Sequence, residues 1–226
     1  EEQIIAAFIN TEWEGDWGGL PWSANVGFRI AKTDVTSRGV DQPVVEFRES
    51  VGDTQLDIIF GPATQVSVTN DYIDFLPSLN LKLETSDTTI LRAGYSTTVT
   101  RPTLTALGVS NTFGGRSNAP VSGGGNPTLE AFQSDNYDIS FEWYFNDVGF
   151  VGVAAFHKEF ENFLESQTLP VLRPIVFPAN NPGNPSDTEI TQDVAFQDTR
   201  TRNGETGSIT GLELAYQQTF DNLPAP

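Results

Sequence analysis

Strict alternation of hydrophobic and polar residues recurs along this chain and predicts β-strands. The clearest case lies between Tyr137 and Phe145, where aromatic and aliphatic residues alternate with Asp138, Ser140 and Glu142. Successive side chains of a strand point to opposite faces of a sheet, so this strand has one apolar and one polar face. No segment shows the 3.6-residue period of a helix. The pattern therefore predicts an all-β protein.

Seven stretches alternate in this way, and each is roughly 11–14 residues long, against a usual strand of about 5–6 residues. They span residues 3–13, 22–35, 72–84, 88–101, 134–145, 149–163 and 207–220. The register of the sixth stretch is ambiguous, because Phe156 and Phe160 share a parity with Lys158. Strands of this length fit a structure that crosses a membrane.

The connections between these stretches alternate between short and long. Residues 14–21, 85–87, 146–148 and 221–224 form short turns, whereas 36–71, 102–133 and 164–206 form long connections. A transmembrane β-barrel has this alternation, with short periplasmic turns and longer extracellular loops. Within the long connections, two runs at 43–48 and 56–60 predict a hairpin, and the prolines of 164–206 predict irregular structure.

Tryptophan positions give a second indication of a membrane. Trp13, Trp17 and Trp22 surround the first short turn, and Trp143 lies just before another. Tryptophan is enriched at the interface between membrane and water, where it forms a girdle at the strand ends of a barrel. In a soluble β-sandwich, a core tryptophan would instead lie in the middle of a strand.

We predict that one face of the strands meets lipid and that the other lines a barrel lumen. The predicted lipid-facing or girdle residues are Trp13, Trp17, Trp22, Phe75, Leu79, Leu81, Tyr95, Phe141, Trp143 and Tyr216. The predicted lumen-facing residues are Arg29, Asn80, Lys82, Arg92, Ser140, Glu142 and Glu213.

Composition excludes several classes of protein. Among 226 residues no run of 18 apolar residues occurs, so no transmembrane helix is expected. The 16 Phe exclude a disordered chain, and a net charge of −18 argues against nucleic acid as a partner. With no Cys and His157 as the one histidine, we predict no metal site, cofactor or catalytic residue.

Several short motifs resemble the barrel of TonB-dependent outer-membrane receptors. Residues 96–102 match an S-x-x-x-x-R-P element, and residues 125–138 match a GNP-x-L element followed by S-x-N-Y-D. Residues 156–158 stand where the family has Phe-Tyr-Lys, and residues 211–213 resemble its G-x-E strand. Residues 76–80 resemble the LPS-x-N strand of a subgroup abundant in Xanthomonas- and Caulobacter-like bacteria.

This resemblance implies that residues 1–226 are part of a single receptor barrel domain. About seven spanning strands of a probable 22-stranded antiparallel transmembrane barrel are expected, with long extracellular loops. The plug domain, the TonB box and the final strands are expected to lie outside this chain, which begins at Glu1 as a mature segment or a fragment. The resemblance implies no enzyme activity.

The resemblance also implies a function in the outer membrane of a Gram-negative bacterium. Such receptors import a scarce nutrient, such as an oligosaccharide or a siderophore, and the subgroup is linked to sugar uptake. Expected partners are outer-membrane lipid and lipopolysaccharide, the TonB complex acting through the plug, and a small nutrient ligand. Two alternatives remain open: a secreted soluble β-domain that binds carbohydrate through its loops, and a passive porin.

The long connections contain the candidate ligand-binding residues. These are Arg101, Asn126, Phe113, Phe132, Phe177 and Phe196. The phenylalanines could stack on a sugar or an aromatic chelator, or they could pack within the loops. For Arg101 and Asn126 the alternative to ligand binding is a structural role, at a strand end and in a turn respectively.

Overall fold

The computed structural model describes residues 1–49, 56–181 and 184–219, and in this part of the chain all regular structure is β. The strands are β1 (Glu2–Asp16), β2 (Pro21–Asp41), β3 (Val44–Glu49), β4 (Leu56–Phe60), β5 (Thr64–Ser86), β6 (Thr89–Thr100), β7 (Asn111–Arg116), β8 (Ala119–Gly124), β9 (Phe132–Tyr144), β10 (Phe150–Glu161), β11 (Leu164–Phe177), β12 (Ile190–Asn203) and β13 (Gly207–Gln217). Across these described residues, no helix is long and apolar enough to span a membrane.

The seven predicted stretches form one sheet, which we call the barrel sheet. Its strand order is β1-β2-β5-β6-β9-β10-β13, and every neighbouring pair is antiparallel. This order confirms the predicted all-β, antiparallel arrangement. The predicted end of the last strand at Phe220 lies outside the described residues.

Two strands of the barrel sheet are longer than predicted. β2 and β5 remain paired as far as Asp41 and Thr64, so much of the expected first loop is a continuation of both strands. The alternation weakens there: Ser37, Arg38 and Gly39 contain no large apolar residue. A pattern that depends on one buried or lipid-covered face gives no signal where both faces meet water.

The three long connections together form a second sheet, the loop sheet, of order β4-β3-β11-β12-β8-β7. The predicted hairpin is confirmed as β3 and β4. The prediction that 164–206 is irregular is wrong, because β11 and β12 pair along their full lengths. Within the described residues, β11 has a partner on its other side only at Val176, and a strand with a largely free edge tolerates prolines such as Pro170 and Pro174.

The loop sheet has its own hydrophobic core. Phe47, Ile175, Phe177 and Phe196 are buried there, and Phe113 packs against them. A smaller cluster of Val35, Leu107 and Leu129 lies between the end of β2 and the second connection. The long connections are therefore a packed unit joined to one end of the barrel sheet.

Candidate functional site

The register defines two faces of the barrel sheet, because directly paired residues of antiparallel strands share a face. One row across six strands consists of Trp22, Leu83, Leu91, Phe141, Val153 and Leu214, and we call its side the apolar face. The adjacent row consists of Ser23, Lys82, Arg92, Ser140, Ala154 and Glu213, and we call its side the polar face.

The same register places the predicted residues. Every residue predicted to meet lipid lies on the apolar face, apart from Trp17, which is in the first turn. Every residue predicted to line the lumen lies on the polar face. The sixth strand is also resolved: Phe156, Lys158 and Phe160 share the polar face, and His157 lies on the apolar face.

The apolar face is uncovered. Phe141 is 44% exposed, Ile139 is 52% exposed and Phe75 is 55% exposed. In water, each of these half-exposed side chains forgoes about half of the roughly 1.5–3 kcal/mol that full burial of a large apolar side chain contributes. A continuous face of such residues marks a surface that meets lipid or another apolar partner.

The polar face is concave. A cavity of about 680 Å³ on this side is lined by residues of every barrel strand, including Glu12 on β1 and Glu213 on β13. Because these two strands are the opposite edges of the sheet, a shared cavity requires the sheet to curl around its polar side. The apolar side chains consequently cover the convex outside.

The slant of the apolar band also fits a barrel. On β1 the apolar residues extend back to Ile5, whereas on β13 they begin at Leu212, which lies in the row of Trp13. The loop-side edge of the band thus shifts by about eight residues and its turn-side edge, from Trp13 to Tyr216, by about four, which is a mean shift of about 20 Å across a sheet about 29 Å wide. This ratio gives a strand tilt of about 35°, within the range for membrane barrels.

Aromatic residues cluster at the short-turn end of the apolar face. The Trp17 and Trp22 rings lie 5.3 Å apart, and the Phe145 ring stacks on that of Tyr216 at 6.3 Å. Gly15 makes room for the first pair, since a Cβ at this position would lie 2.7 Å from the Trp22 ring. This is the arrangement of an interfacial girdle.

Charges on the polar face are paired across and along strands. Arg92 donates to Glu142 at 3.0 Å, and Lys82 lies 2.6 Å from Glu84. Arg29 forms no ion pair within the described residues. A face with paired charges and a free guanidinium suits a wet or protein-filled interior rather than lipid.

Two candidate ligand residues have structural partners instead. Arg101 donates to Asp74 at 2.8 Å and to the Thr33 hydroxyl at 3.2 Å, so it joins β6 to β5 and β2. The Asn126 side-chain amide donates to the Thr201 carbonyl at 3.2 Å, and its oxygen accepts from Thr128. These contacts fit the structural alternative for both residues.

The candidate phenylalanines divide into two groups. Phe177 and Phe196 are core residues of the loop sheet, 8% and 0% exposed, and leave almost no surface for a ligand. Their prediction as ligand contacts is corrected accordingly: large rings gain more from filling the core between strands than from facing water. Phe113 packs on Phe196, with the Arg173 guanidinium 5.0 Å from its ring. Phe132 does not belong to the core of the loop sheet: it lies on the polar face of the barrel sheet, at the end of β9 that adjoins the loop sheet.

A buried carboxylate that sequence reasoning missed ties the loops together. Asp198 on β12 is fully buried and accepts from Ser122 at 2.8 Å and from Arg200 at 2.5 Å. Arg200 also donates to Asn111 at 3.1 Å, and Asn111 donates to Asp41 at 3.0 Å. The sequence signal was the Asp-x-Arg-x-Arg spacing on one strand face, which puts both cations beside the acid.

We expect the loop sheet to loosen at acidic pH. Hydrogen bonds from Arg200 hold the pKa of Asp198 below its ordinary value. A carboxylate with a lowered folded-state pKa stabilises the fold above its unfolded pKa of about 4, and this contribution is lost as the pH falls through the folded value. Hydrogen exchange of residues 190–203, corrected for the intrinsic pH effect, should accelerate below pH ~4. Asp198→Asn should weaken that dependence; an unchanged dependence would contradict this role.

No group of three or more potential metal ligands occurs in the described part of the chain. His157 contacts the Thr210 hydroxyl at 2.7 Å and Glu159 at 3.4 Å on the apolar face. His157 is therefore a residue of β10 near the loop sheet, with hydrogen-bond partners on its own and the neighbouring strand.

The curled two-faced sheet and its loop sheet define this chain as a section of a membrane-type antiparallel β-barrel. The family described as TonB dependent receptor-like, beta-barrel, matches residues 2–224. The chain belongs to this family, which comprises outer-membrane receptors of Gram-negative bacteria and not enzymes. No curated protein sequence matches the chain.

Solved structures of receptors share the fold. The hemophore receptor HasR of Serratia marcescens, a double mutant bound to its hemophore HasA and heme, has a TM-score of 0.56 at 13% identity, covering 95% of this chain and 32% of that one. A mutant ferric enterobactin receptor of Pseudomonas aeruginosa, bound to enterobactin, has a TM-score of 0.50 at 16% identity, covering 94% and 33%. The chain thus spans about a third of these receptors.

Proposed function

We propose that this chain is the barrel section of an active transporter in the outer membrane of a Gram-negative bacterium. The transporter imports a scarce nutrient, such as an oligosaccharide or a siderophore, and the TonB complex supplies the energy through the plug. One observation carries this proposal: the barrel sheet has a polar concave side and an exposed apolar convex side. The chain also belongs to the receptor family.

The two faces support the proposed partners. The apolar face contacts lipid, with the outer leaflet of lipopolysaccharide toward the loop sheet. The polar face surrounds the plug and the path of the nutrient, and residues such as Arg92 and Glu142 face that path. The uncovered apolar surface disfavours the soluble carbohydrate-binding alternative, since a soluble domain would bury these side chains.

The structural relatives suggest two kinds of nutrient to test. Their ligands are heme on a hemophore and enterobactin, and the sequence subgroup suggests oligosaccharides. A packed loop sheet at the mouth favours a gated receptor over a passive porin, because a folded unit with its own core occupies that end.

Uptake assays test energisation directly. Cells producing the complete receptor would be given labelled neutral oligosaccharides, ferric enterobactin or heme at nanomolar concentration. We expect one of these to accumulate, and accumulation to fall to background in cells lacking TonB or treated with a protonophore. Uptake that rises linearly with concentration and ignores both treatments would indicate a porin and contradict the proposal.

A further inference from the structure

A second cavity, of about 410 Å³, lies where the barrel sheet meets the loop sheet. Its side chains are those of Phe160, Phe163, Glu165, Gln167, Glu205 and Thr206. Its volume falls in the range of about 300–1,000 Å³ for small-molecule sites. Because Phe160 is on the polar face, the cavity lies at the loop end of the concave side, where an entering ligand would pass.

One wall of this cavity is an exposed aromatic platform. Phe163 is 52% exposed, although a phenylalanine at a loop junction would gain free energy from burial. The Phe132 ring lies 5.6 Å from Phe160 and 5.8 Å from Phe163, so it packs against both rings. The platform is therefore braced by a third ring and still open to a ligand.

The backbone around this platform is held in an uncommon conformation. Asn162 has a φ of 56°, in the left-handed region that few non-glycine residues adopt. Its amide donates to Glu130 at 3.0 Å, and its carbonyl accepts from Asn203 at 3.1 Å. Gly204 leaves room for the neighbouring carboxylate, since a Cβ there would lie 2.7 Å from Oε1 of Glu165.

The polar lining favours a neutral ligand rich in hydroxyl groups. Glu165 and Glu205 supply carboxylates and Gln167 an amide, and no Lys or Arg lines the cavity. Arg202, the cross-strand partner of Glu165, directs its guanidinium to Asp198 at 3.1 Å. Among the described residues neither carboxylate has a cationic partner, so the two repel an anionic chelate, whereas they accept hydrogen bonds from hydroxyl groups.

We infer that this cavity is a saccharide subsite. The C–H face of a sugar ring packs on Phe163, and its hydroxyl groups donate to Glu165 and Glu205. The Gln167 amide donates one N–H to Glu165 and keeps its second N–H and its oxygen for the same ring. This inference rests on the proposed transport function and names its substrate class as a neutral oligosaccharide.

Binding to the complete, detergent-solubilised receptor tests the subsite. An array of neutral glycans would be screened beside ferric enterobactin as the anionic probe, and affinities of hits measured by calorimetry. We expect a neutral glycan to bind, and Phe163→Ala to weaken it by about tenfold or more. Glu205→Gln should weaken it to a lesser degree. Phe60→Ala, which removes an exposed ring elsewhere on the loop sheet, should stay within about twofold.

Other outcomes separate the subsite from the transport function. Binding of ferric enterobactin alone, no glycan binding, or equal affinity in the Phe163→Ala and Phe60→Ala variants would each overturn the saccharide subsite. TonB-dependent uptake would then still support the transporter. Glycan binding lost in Phe163→Ala, without any energy-dependent uptake, would keep the subsite and overturn the transporter. Unchanged migration of each variant on unheated gels confirms that the barrel is folded.

Discussion

Replacing Phe141 with Arg is expected to prevent the barrel from assembling in the outer membrane. Phe141 lies in the middle of the apolar face, between Leu91 and Val153 in neighbouring strands. An Arg on the lipid side at this depth costs roughly 2–4 kcal/mol, and the lost phenylalanine adds roughly 1.5–3 kcal/mol. The amount of heat-modifiable receptor in outer-membrane fractions measures the effect, and we expect it to fall to near background.

The matched control is Asn80→Arg, on the opposite face. Asn80 lies in one row with Asn25 and, one strand further, with Glu12. A new guanidinium there meets water and a carboxylate rather than hydrocarbon, so we expect assembly close to wild type. Equal loss of assembled receptor in both variants would contradict the assignment of the two faces.

The second large effect is expected from Phe196→Ala, which should unfold the loop sheet and leave the barrel intact. The Phe196 ring is fully buried and lies 6.2 Å from Phe47 and 6.0 Å from Phe113. Truncating such a ring costs roughly 3–5 kcal/mol. Trypsin added to intact cells should then cut after Arg200 or Arg202 on β12, sites that the packed sheet protects.

The control for this experiment is Leu172→Ala, because Leu172 is 65% exposed on the same sheet. We expect its proteolysis pattern to match that of wild type. Protection of the Phe196→Ala loops, or loss of the barrel together with the loops, would show that the loop sheet is not a separately packed unit.

The barrel strands could be predicted because both of their faces carry a signal. Tyr137 to Trp143 alternate without exception, and the register places the apolar parities of the other barrel strands on the same face as Phe141. Near β10 the alternation failed, because Phe156 lies on the polar face, where its ring covers Gly211. The pairing of β10 with β9 shows which face each residue of β10 occupies, and the sequence of β10 alone does not contain this information.

The loop sheet was only partly predictable. The hairpin of β3 and β4 was visible as two short apolar runs, but Pro170 and Pro174 concealed β11, since proline marks a break in most sequences. The pairing of β8 with β12 is parallel and joins residues far apart in the chain. Such contacts depend on the assembled fold and leave no local pattern.

The candidate ligand residues also separate into what a local sequence pattern predicts and what only the assembled fold determines. Phe196 was chosen because it lies in a loop by sequence, yet the loop has its own core and buries it. Phe163 was missed as a ligand contact because the sixth predicted stretch extends to it, whereas β10 ends at Glu161. Asn162 with its positive φ is the feature that places Phe163, and sequence alone does not give that angle.

Spin labels at two adjacent positions of β9 provide the most direct test of the two-faced wall. This chain has no cysteine, so Ile139→Cys and Ser140→Cys each add one labelling site in a complete receptor without other cysteines, reconstituted in bilayers. We expect frequent collisions with oxygen at position 139, and relatively more collisions with a water-soluble nickel chelate at position 140. Equal ratios at both positions, or higher oxygen accessibility at 140, would contradict a wall with lipid outside and a polar interior.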